Sequence, residues 1–452
     1  NDVDIAFSLG SEKESKEARR QRMRKRAEEE QKAKVKAGGN KRTTCYCFEI
    51  VSNENDTSVD VRAGAPLLEY RESVFSHYVM VSAAIVDTGR TVVTDGRGVG
   101  ILEAIKMQGG EKVYLSLTDA KGNKIRLDDE DSLRLVKVDN INETFKSTSF
   151  TITCFSPEAI TDLDVNNYCY DLYTGRTSDI IRDVVEKHLK SEKEFYAIDL
   201  SRNNVSVRGY GVPASEYATG LQMFSVTNET TNQSGERNTM AGYLFWQTSE
   251  GFHFKSLDTI FKTTGSYLGF RDSNNQRVKN FIEMFRGDDY LPPGFDDKIV
   301  HSTFNRSIDL ISQFKSGAYG SKLETMDLIE QTWNDTNESV VDSEGNRILA
   351  GKNLPNIGEY TGTVTRKIPQ PKAKGQTVIS GDSLQTQVEK TTEQKYDVDE
   401  ITQQAIQNYR QKMNFSLQII IPGDFSLHAG DVIYCEFREL SDSKTTLSSR
   451  DR

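Results

Sequence analysis

The glycine-rich stretch at residues 96–100, GRGVG, is the part of the chain whose composition comes nearest to a ligand-binding motif. Nucleotide-binding loops use glycines so that backbone N–H groups can approach a phosphate at the start of a helix. Here the spacing is G-x-G-x-G instead of G-x-G-x-x-G, and no second parallel strand follows at the right distance. No G-x-x-x-x-G-K-[ST] phosphate loop occurs either. We therefore interpret residues 96–100 as the glycines of a loop or hairpin.

Asp162, Asp164 and Asn166 begin like a calcium-binding loop. Such a loop requires a turn glycine at its sixth position and a bidentate glutamate at its twelfth. Asn167 and Tyr173 stand at those positions, so neither requirement is met. The sequence favours a cluster that caps the helical region that follows.

The histidines and cysteines form no motif with metal-ligand or catalytic spacing. The histidines are His77, His188, His253, His301 and His428, and the cysteines are Cys45, Cys47, Cys154, Cys169 and Cys435. Cys45 and Cys47 alternate along a predicted strand, which indicates packing. An odd number of scattered cysteines is typical of reduced thiols in a protein made in a cytoplasm. We expect no catalytic residue, no cofactor-binding residue, no metal ligand and no enzymatic activity.

The charge of the chain is unevenly distributed. The 452 residues are enough for two to four domains and carry a formal net charge of −10. Residues 12–42 contain thirteen Lys or Arg and six Glu, a local excess of +7, which leaves −17 for the remainder. A mostly acidic chain argues against general nucleic-acid binding, because neutralising phosphates needs a basic face. No run of about 18 apolar residues occurs, so we expect no membrane span.

Residues 11–37 predict an exposed, charged helix. They contain no proline or glycine and few large apolar residues, and the residue types that predominate favour helix. Gly38 and Gly39 are a natural end for it. A helix that is polar all round has no face to bury. Two interpretations stay open, a solvated tail and an arm that docks on a partner.

Short runs of β-branched and aromatic residues, separated by glycine turns, fill residues 44–155. The runs at 78–81, 112–117 and 149–153 predict strands. Residues 119–123, DAKGN, predict the loop of a hairpin. Regularly spaced strands with turn signals indicate a small antiparallel barrel or sandwich.

The region that follows mixes helical and strand patterns. An apolar stripe over residues 180–189 predicts a helix that Thr177 or Ser178 caps. Pro213 is expected to open a second helix. Residues 243–254 predict two strands joined by a tight turn. Trp246 in the first strand has the type to stack on a ligand, but aromatic residues at strand spacing are usually core.

Strand patterns return at residues 317–330 and 414–437, with a polar, turn-rich stretch at 334–390 and a helical pattern at 397–411 between them. The chain is thereby predicted to have five parts. They are a charged N-terminal helical arm (1–43), a first β-barrel (44–155), a mixed α+β middle domain (156–307), a second β-barrel (308–334 and 412–452), and a polar excursion with a helix that packs on the middle domain (335–411). The fold class is α+β, mainly β.

Four groups of segments resemble the central baseplate hub proteins of T-even-like contractile-tailed phages, relatives of the late-control and valine–glycine-repeat hub families. They are residues 68–75, 84–87 and 109–113 (LEYRESVF, AIVD and GGEKV), 242–258 (GYLFWQTSEGFHFKSLD), 316–322 (SGAYGSK), and 421–424 with 429–433 (IPGD and AGDVI). Together they extend over residues 68 to 433. The basic helical segment at 11–37 has no counterpart in the family pattern.

The resemblance implies a structural protein of the virion tail baseplate, assembled in the host cytoplasm. It implies a homotrimer in which each chain gives two antiparallel tube-type barrels, six in all, flanking the mixed middle domain. The central spike protein would bind one side of the ring. The tail tube or tube-initiator protein and the tape measure protein would bind the other side, with baseplate wedge proteins as further neighbours. DNA would pass through the channel without specific binding.

Two alternatives to the phage hub are a hub-type spike protein of a contractile injection or secretion system and a hub fused to a cell-wall-degrading activity. A cell-wall hydrolase is expected to show paired carboxylates or a zinc site, and the sequence shows neither pattern. A secretion-system spike is expected to continue into a repetitive β-helix, a pattern that this sequence lacks. The sequence therefore favours the trimeric hub ring.

Overall fold

The protein is mainly β. The computed structural model describes residues 43–54, 57–89, 92–94, 97–128, 132–191, 193, 195–202, 204–227, 241–262, 271–272, 275–283, 298–305, 311–312, 315, 320–327, 332–339, 365–369, 405–406, 408–410, 413, 416–438 and 447–448. The elements described over their whole length are twenty-four strands and five short α-helices. The mainly β class is confirmed, whereas the two barrels, the mixed middle domain and the five-part division remain predictions.

The described residues fall into two compact units. The first comprises those within Asn1–Leu68, Ser82–Cys154 and Gly423–Ser426. The second comprises those within Glu69–Val81, Phe155–Pro422 and Leu427–Arg452.

The first ten strands are β1 Thr44–Val51, β2 Ser58–Asp60, β3 Leu67–Arg71, β4 Met80–Asp87, β5 Val92–Thr94, β6 Arg97–Val99, β7 Lys112–Thr118, β8 Lys124–Leu127, β9 Leu133–Glu143 and β10 Thr148–Phe155. Eight of them form a sheet with the order β2–β1–β7–β9–β10–β4–β3, in which β8 also pairs with β7. The remaining two, β5 and β6, pair with each other. A five-residue helix, α1, spans Ile101–Ile105.

Alternating burial explains why these residues form a sheet with a core on one side. In β10, Phe150, Ile152 and Cys154 are buried while the residues between them are half-buried. Because successive side chains of a strand point to opposite faces, this alternation places every second residue in the core. The strands predicted at 112–117 and 149–153 are confirmed. The one predicted at 78–81 begins two residues later, at Met80.

The loop predicted at residues 119–123 is the turn of the β7–β8 hairpin. Asp119 N–H donates to the carbonyl of Asn123 at 3.0 Å. The Asp119 carboxylate accepts from the N–H groups of Lys121 and Asn123, at 2.9 and 2.8 Å. Gly122 has φ +97°, a conformation that side chains disfavour. The hairpin prediction is therefore confirmed.

The later strands are β11 Leu172–Arg176, β12 Phe195–Ile198, β13 Asn204–Arg208, β14 Tyr243–Thr248, β15 Gly251–Ser256, β16 Lys279–Glu283, β17 Lys298–Ile299, β18 His301–Asn305, β19 Gly320–Asp327, β20 Thr332–Ser339, β21 Thr365–Pro369, β22 Ser416–Ile420, β23 Ile433–Arg438 and β24 Leu447–Ser448. The helices are α2 Glu158–Asp162, α3 Thr177–Val184, α4 Ala214–Gln222 and α5 Leu257–Phe261. A π-helical turn, Val185–Leu189, continues α3.

The core of the second unit forms where α3 and α4 pack on the β14–β15 hairpin. Ile181, Val184 and Leu221 are buried there together with Phe245 and Phe254. The apolar stripe predicted for α3 faces this core, as does the side of α4 that carries Leu221. Pro213 stands at the N-cap of α4, as predicted.

The predicted cap of α3 is wrong. The helix begins at Thr177, its N-cap is Arg176, and no side chain caps it. Thr177 and Ser178 use their hydroxyl groups for tertiary contacts instead. Thr177 Oγ1 accepts from Ser225 Oγ at 2.7 Å, and Ser178 Oγ accepts from the N–H of Ser201 at 3.2 Å. Both side chains are buried, so these partners satisfy groups that would otherwise lose their hydrogen bonds to water.

Several sequence predictions concern residues outside the described ranges. The charged helix at 11–37 and most of the excursion at 335–411 are among them. Within 397–411, residues 405–406 and 408–410 are helical, and the Tyr409 hydroxyl donates to the carbonyl of Tyr243. No helix in the described ranges is long and apolar enough to cross a membrane.

Candidate functional site: a carboxylate–imidazole junction beside Trp246

The β14–β15 hairpin is the element on which the site is built. All six residues of β14 are buried. Tyr243 and Phe245 face the core that α3 and α4 cover. Leu244 and Trp246 face the other way and pack with Leu257 and with half-buried residues from distant parts of the chain. A strand that is buried on both faces reads as a continuous apolar run, which is why YLFW carries no polar residue.

Trp246 lies against a loop that comes from near the end of the described chain. Its indole Nε1–H donates to the carbonyl of Ala429 at 2.9 Å. Gly430 follows with φ +94°, and a Cβ atom built on it would lie 2.5 Å from Cζ2 of Trp246. Only glycine fits there, because any side chain would need both a disfavoured backbone conformation and space that the indole occupies. His253 stacks on the indole, with ring centroids 5.0 Å apart and planes at 6°.

Glu72 joins this loop to the hairpin turn. Its carboxylate accepts from the N–H of Ser249 at 2.8 Å, from the N–H of Ala429 at 3.1 Å, and from Nδ1 of His428 at 3.2 Å. The Tyr70 hydroxyl is the fourth donor. Only 6% of the Glu72 side chain is exposed. We call Glu72, Trp246, Ser249, His428 and Ala429 the Glu72 junction.

The junction holds a carboxylate against an imidazole, and each favours the charged form of the other. Burial opposes the charge on Glu72, but hydrogen bonds from His428, Tyr70 and Ser249 outweigh it and lower the pKa of the carboxyl group. Burial likewise opposes the charge on His428, but the hydrogen bond to Glu72 outweighs it and raises the pKa of the imidazole. Burial, with the Glu72 charge next, raises the pKa of Tyr70. The hydroxyl therefore stays protonated and remains a donor.

The pKa of His253 shifts in the opposite direction to that of His428. Burial, with the nearby charge of Lys255 next, lowers its pKa to about 4. Its Nε2 lies 2.9 Å from Oγ1 of Thr248. A neutral ring at this position stacks on Trp246 without placing a second cation beside His428.

Chemically, the Glu72 junction fastens three chain segments together. His428 Nε2 lies 3.8 Å from the Glu250 carboxylate. The sequence predicts isolated histidines and offers no spacing that connects Glu72 with His428. The structure brings them together across 356 positions.

The Asp162 cluster caps local structure, as the sequence predicts. Asp164 accepts from the N–H of Asn166 at 3.0 Å and caps a short 3₁₀ turn. Asp162 is buried, accepts from the N–H of Ser215 at 3.2 Å at the start of α4, and also accepts from the Tyr78 hydroxyl. The two carboxylates thus serve different backbone groups, unlike the convergent ligands of a calcium loop.

The glycine-rich stretch also has the structure that the sequence favours. β6, which lies within it, pairs antiparallel with the preceding strand β5 as a hairpin. Gly100 is the N-cap of α1, and the carboxylate of Asp87 accepts from the N–H of Ile101 at 2.6 Å. A side-chain carboxylate therefore occupies the place that a phosphate would need at the start of this helix.

The remaining histidines take part in local contacts. His188 donates from Nδ1 to the carbonyl of Asn167 at 2.7 Å and accepts from the Tyr173 hydroxyl, also at 2.7 Å. Burial lowers the pKa of His77, whose Nε2 lies 2.8 Å from Oγ1 of Thr219. A cleft of about 550 Å³ adjoins Tyr173. It is lined by Asp171, Leu172, Tyr173, Thr174, Ile180, Asp183 and Lys187.

Neither a metal cluster nor a disulfide is found in the described part of the chain. No group of three or more His, Cys, Asp or Glu residues there is arranged to hold a metal ion. All five cysteines are free thiols. Burial raises the pKa of Cys45 to about 11 and that of Cys47 to about 12, so both are protonated at neutral pH.

Comparisons with known proteins return solved structures alone. No protein-family model matches the chain, and no curated protein matches it. The tail protein from Neisseria meningitidis MC58 is similar with a TM-score of 0.41 and 8% identity, over 87% of this chain and 83% of that chain. The 43 kDa tail protein of prophage MuSo2 from Shewanella oneidensis is similar with a TM-score of 0.36 and 11% identity. The match covers 70% of this chain and 71% of that chain.

A third similar structure is the prophage tail protein gp18 from Listeria monocytogenes EGD-e. Its TM-score is 0.33 and its identity 10%, over 71% of each chain. TM-scores and identities this low do not establish a common fold. The function of the chain must therefore be argued from its own residues.

Proposed function

We propose that this chain is a structural component of a phage tail baseplate, and that three copies form the hub ring that joins the central spike to the tail tube. The Glu72 junction is the observation that carries the proposal. Glu72, Trp246 and Ala429 belong to three of the four groups of segments that resemble tail hub proteins, and they contact one another through hydrogen bonds and shared neighbours. Segments that share a resemblance and lie far apart in sequence thus meet in one place.

The chemistry of the junction supports a structural role. The Glu72 carboxylate accepts from four donors, and Gly430 packs directly on the Trp246 indole. Both contacts fix the positions of chain segments. The two-sided burial of β14 makes the hairpin a rigid base for them. A ring component that transmits force and aligns a channel needs this kind of rigidity and no reaction of its own. We therefore propose that the chain is not an enzyme.

The proposed partners follow from the position of a hub in a tail. The spike protein binds one side of the ring, and the tube or tube-initiator protein and the tape measure protein bind the other, with wedge proteins outside. Outside residues 12–42 the sequence carries an acidic excess of 17 charges. Part of that excess on the channel wall would repel the phosphates of passing DNA and keep it from adhering.

The oligomeric state of the purified chain tests this proposal. Native mass spectrometry and light scattering, from micromolar concentration upward and with and without spike protein, are expected to give three times the 50.9 kDa mass of one chain. A closed ring has a single fixed stoichiometry, so a series of growing masses does not fit it. A chain that stays monomeric with the spike present rules out the hub ring.

A further inference from the structure

Strand β9 has a long edge with no strand beside it. β9 has eleven residues, and its neighbour β7 has seven. The two strands pair only at Leu133 and Arg134, and Leu135 then bonds to the backbone of Gly110 and Glu111. From Val136 to Glu143, the edge of β9 opposite β10 has no paired strand in the described part of the chain.

The burial of side chains changes abruptly along β9. Leu133 and Leu135 are fully buried, whereas none of residues 136–143 is buried. Val136 is 46% exposed and Ile141 is 54% exposed. The neighbouring strand β10 has buried residues from Phe150 to Cys154. The buried core of this sheet therefore ends at Leu135 in β9.

An exposed aromatic residue lies at the end of the same edge. Phe145, in the turn between β9 and β10, has all of its surface open to solvent. The turn is well bonded, because the N–H of Thr144 donates to the carbonyl of Ser147 at 2.9 Å and the N–H of Ser147 donates to Thr144 Oγ1 at 3.1 Å. Phe145 is thus presented by an ordered turn.

Two of the three charged side chains on this edge, Lys137 and Asp139, pair with each other, and Glu143 is the third. Natural edges are commonly guarded by unpaired charges, lysine above all, or by proline. The one lysine on this edge, Lys137, pairs with Asp139 at 2.6 Å, and the edge contains no proline. Asn140, with φ +52°, bends the strand and divides the edge into two short stretches. The edge is therefore suited to a short strand.

We propose that a strand from a second copy of this chain covers the β9 edge, defined as residues 136–143 with Phe145. The chain itself carries strands that need such a partner. The sheet ends at β2 and β3, each of which has a neighbour on one side only within the described residues. β2 has three residues, whereas β3 has five and exposes Leu67 by 64%, so β3 is the better match. This inference rests on the proposed ring, since head-to-tail contact between two different patches closes a ring.

Substitutions on the edge test the inference. A double variant, Val136→Lys with Ile141→Lys, and a single variant, Phe145→Ser, place polar groups where the second copy would lie. Leu163→Lys is the matched control, because Leu163 is 70% exposed and belongs to the second unit. Sedimentation velocity is expected to show at least tenfold weaker trimer association for the edge variants, and no change for the control.

Hydrogen exchange supplies a second measurement that needs no variant. In the wild-type trimer those amides of residues 136–143 that point away from β10 are expected to be protected, and on dilution to monomer they are expected to exchange fast. A trimeric wild type whose edge amides exchange fast, and whose edge variants associate normally, overturns the inference and leaves the hub ring standing. If the edge amides become protected only after spike or tube protein is added, the strand that covers the edge does not come from a second copy of this chain. A monomeric wild type overturns the ring and the inference together.

Discussion

At the scale of single residues, Glu72 has an unusual number of partners. A carboxylate offers about four lone-pair sites, and here Tyr70, Ser249, His428 and Ala429 each donate to one. Donors arranged in this way replace the water that a buried carboxylate loses. The negative charge of Glu72 is therefore favoured inside the protein, and the hydrogen bond to it in turn raises the pKa of His428.

The contribution of this pair to stability is expected to depend on pH in both directions. The pKa of Glu72 is lowered from 4.5, so its contribution is present above pH 4.5 and is lost as the pH falls through the folded-state pKa. The pKa of His428 is raised from 6.5, so its contribution is complete below pH 6.5 and is lost as the pH rises through the folded-state pKa. Both contributions are present between pH 4.5 and 6.5.

We predict that Glu72→Gln lowers the free energy of unfolding by roughly 1–3 kcal/mol in that window, the range for hydrogen bonds to charged groups. The difference in unfolding free energy between the variant and wild type should become smaller below pH 4.5 and above pH 6.5. Urea denaturation followed by tryptophan fluorescence across pH 4 to 9 measures this. Glu69→Gln is the matched control, since Glu69 is half exposed and pairs with the exposed Arg71. A constant difference at every pH would contradict the charged pair.

The residue-scale chemistry was the hardest part to predict from the sequence. Capping by Asp164 and the turn at Asp119 were predictable, because both act on backbone groups within four residues. The Glu72–His428 pair was not, because its members are 356 positions apart and neither belongs to a motif. The requirement for glycine at position 430 was not predictable either. Its neighbours in sequence suggest a turn, and only the tertiary fold reveals that Trp246 fills the space beside it.

At the scale of elements, the contact between the 427–431 loop and β14 depends on the absence of a side chain at position 430. We predict that Gly430→Ala lowers the free energy of unfolding by roughly 2–4 kcal/mol. Part of this arises from the left-handed backbone and part from the clash with the Trp246 ring. Thermal denaturation of the second unit, followed by Trp fluorescence, measures the change.

Gly175→Ala is the control that separates these two causes. Gly175 lies in the same unit with φ +141°, and a Cβ atom there would meet nothing within 4 Å. It should show the backbone effect alone. An equal loss of unfolding free energy in both variants would mean that the Trp246 ring moves to make room for the methyl group, so that the contact at Trp246 is not tightly packed.

Elements that follow apolar runs were predictable from the sequence, and a strand without such a run was not. The β14–β15 hairpin, β22 and β23 all follow apolar runs. β20 lies in a stretch predicted to be polar and turn-rich from residue 334, and its sequence, TWNDTNES, has no apolar alternation. It forms a strand by pairing along its whole length with β19. Pairing of this kind leaves no periodic signal in the sequence.

At the scale of the whole molecule, the basic segment at 11–37 remains a prediction. We predict that deleting these residues leaves trimer formation and the melting temperature unchanged, and weakens binding of purified tail tube protein. The local charge of +7 over residues 12–42 suggests an acidic site on the partner, and such binding weakens with salt.

A variant that retains the segment with every Lys and Arg in it replaced by Gln is the matched control for that deletion. If charge drives docking, titration calorimetry should give the same weak binding for both variants. If the deletion unfolds the body of the protein, the segment belongs to a core and the docking arm is wrong.

The separation between Trp246 and Ala429 has a consequence for the history of the gene. Their hydrogen bond closes a loop of 183 positions. The entropy of closing a loop grows only with the logarithm of its length, so inserting twenty residues into so long a loop would cost about 0.1 kcal/mol. Insertions in the turns between the hairpin and the final strands would therefore add little to the entropy cost of closing this loop. Those turns can acquire new surface while the ends of the loop stay fastened.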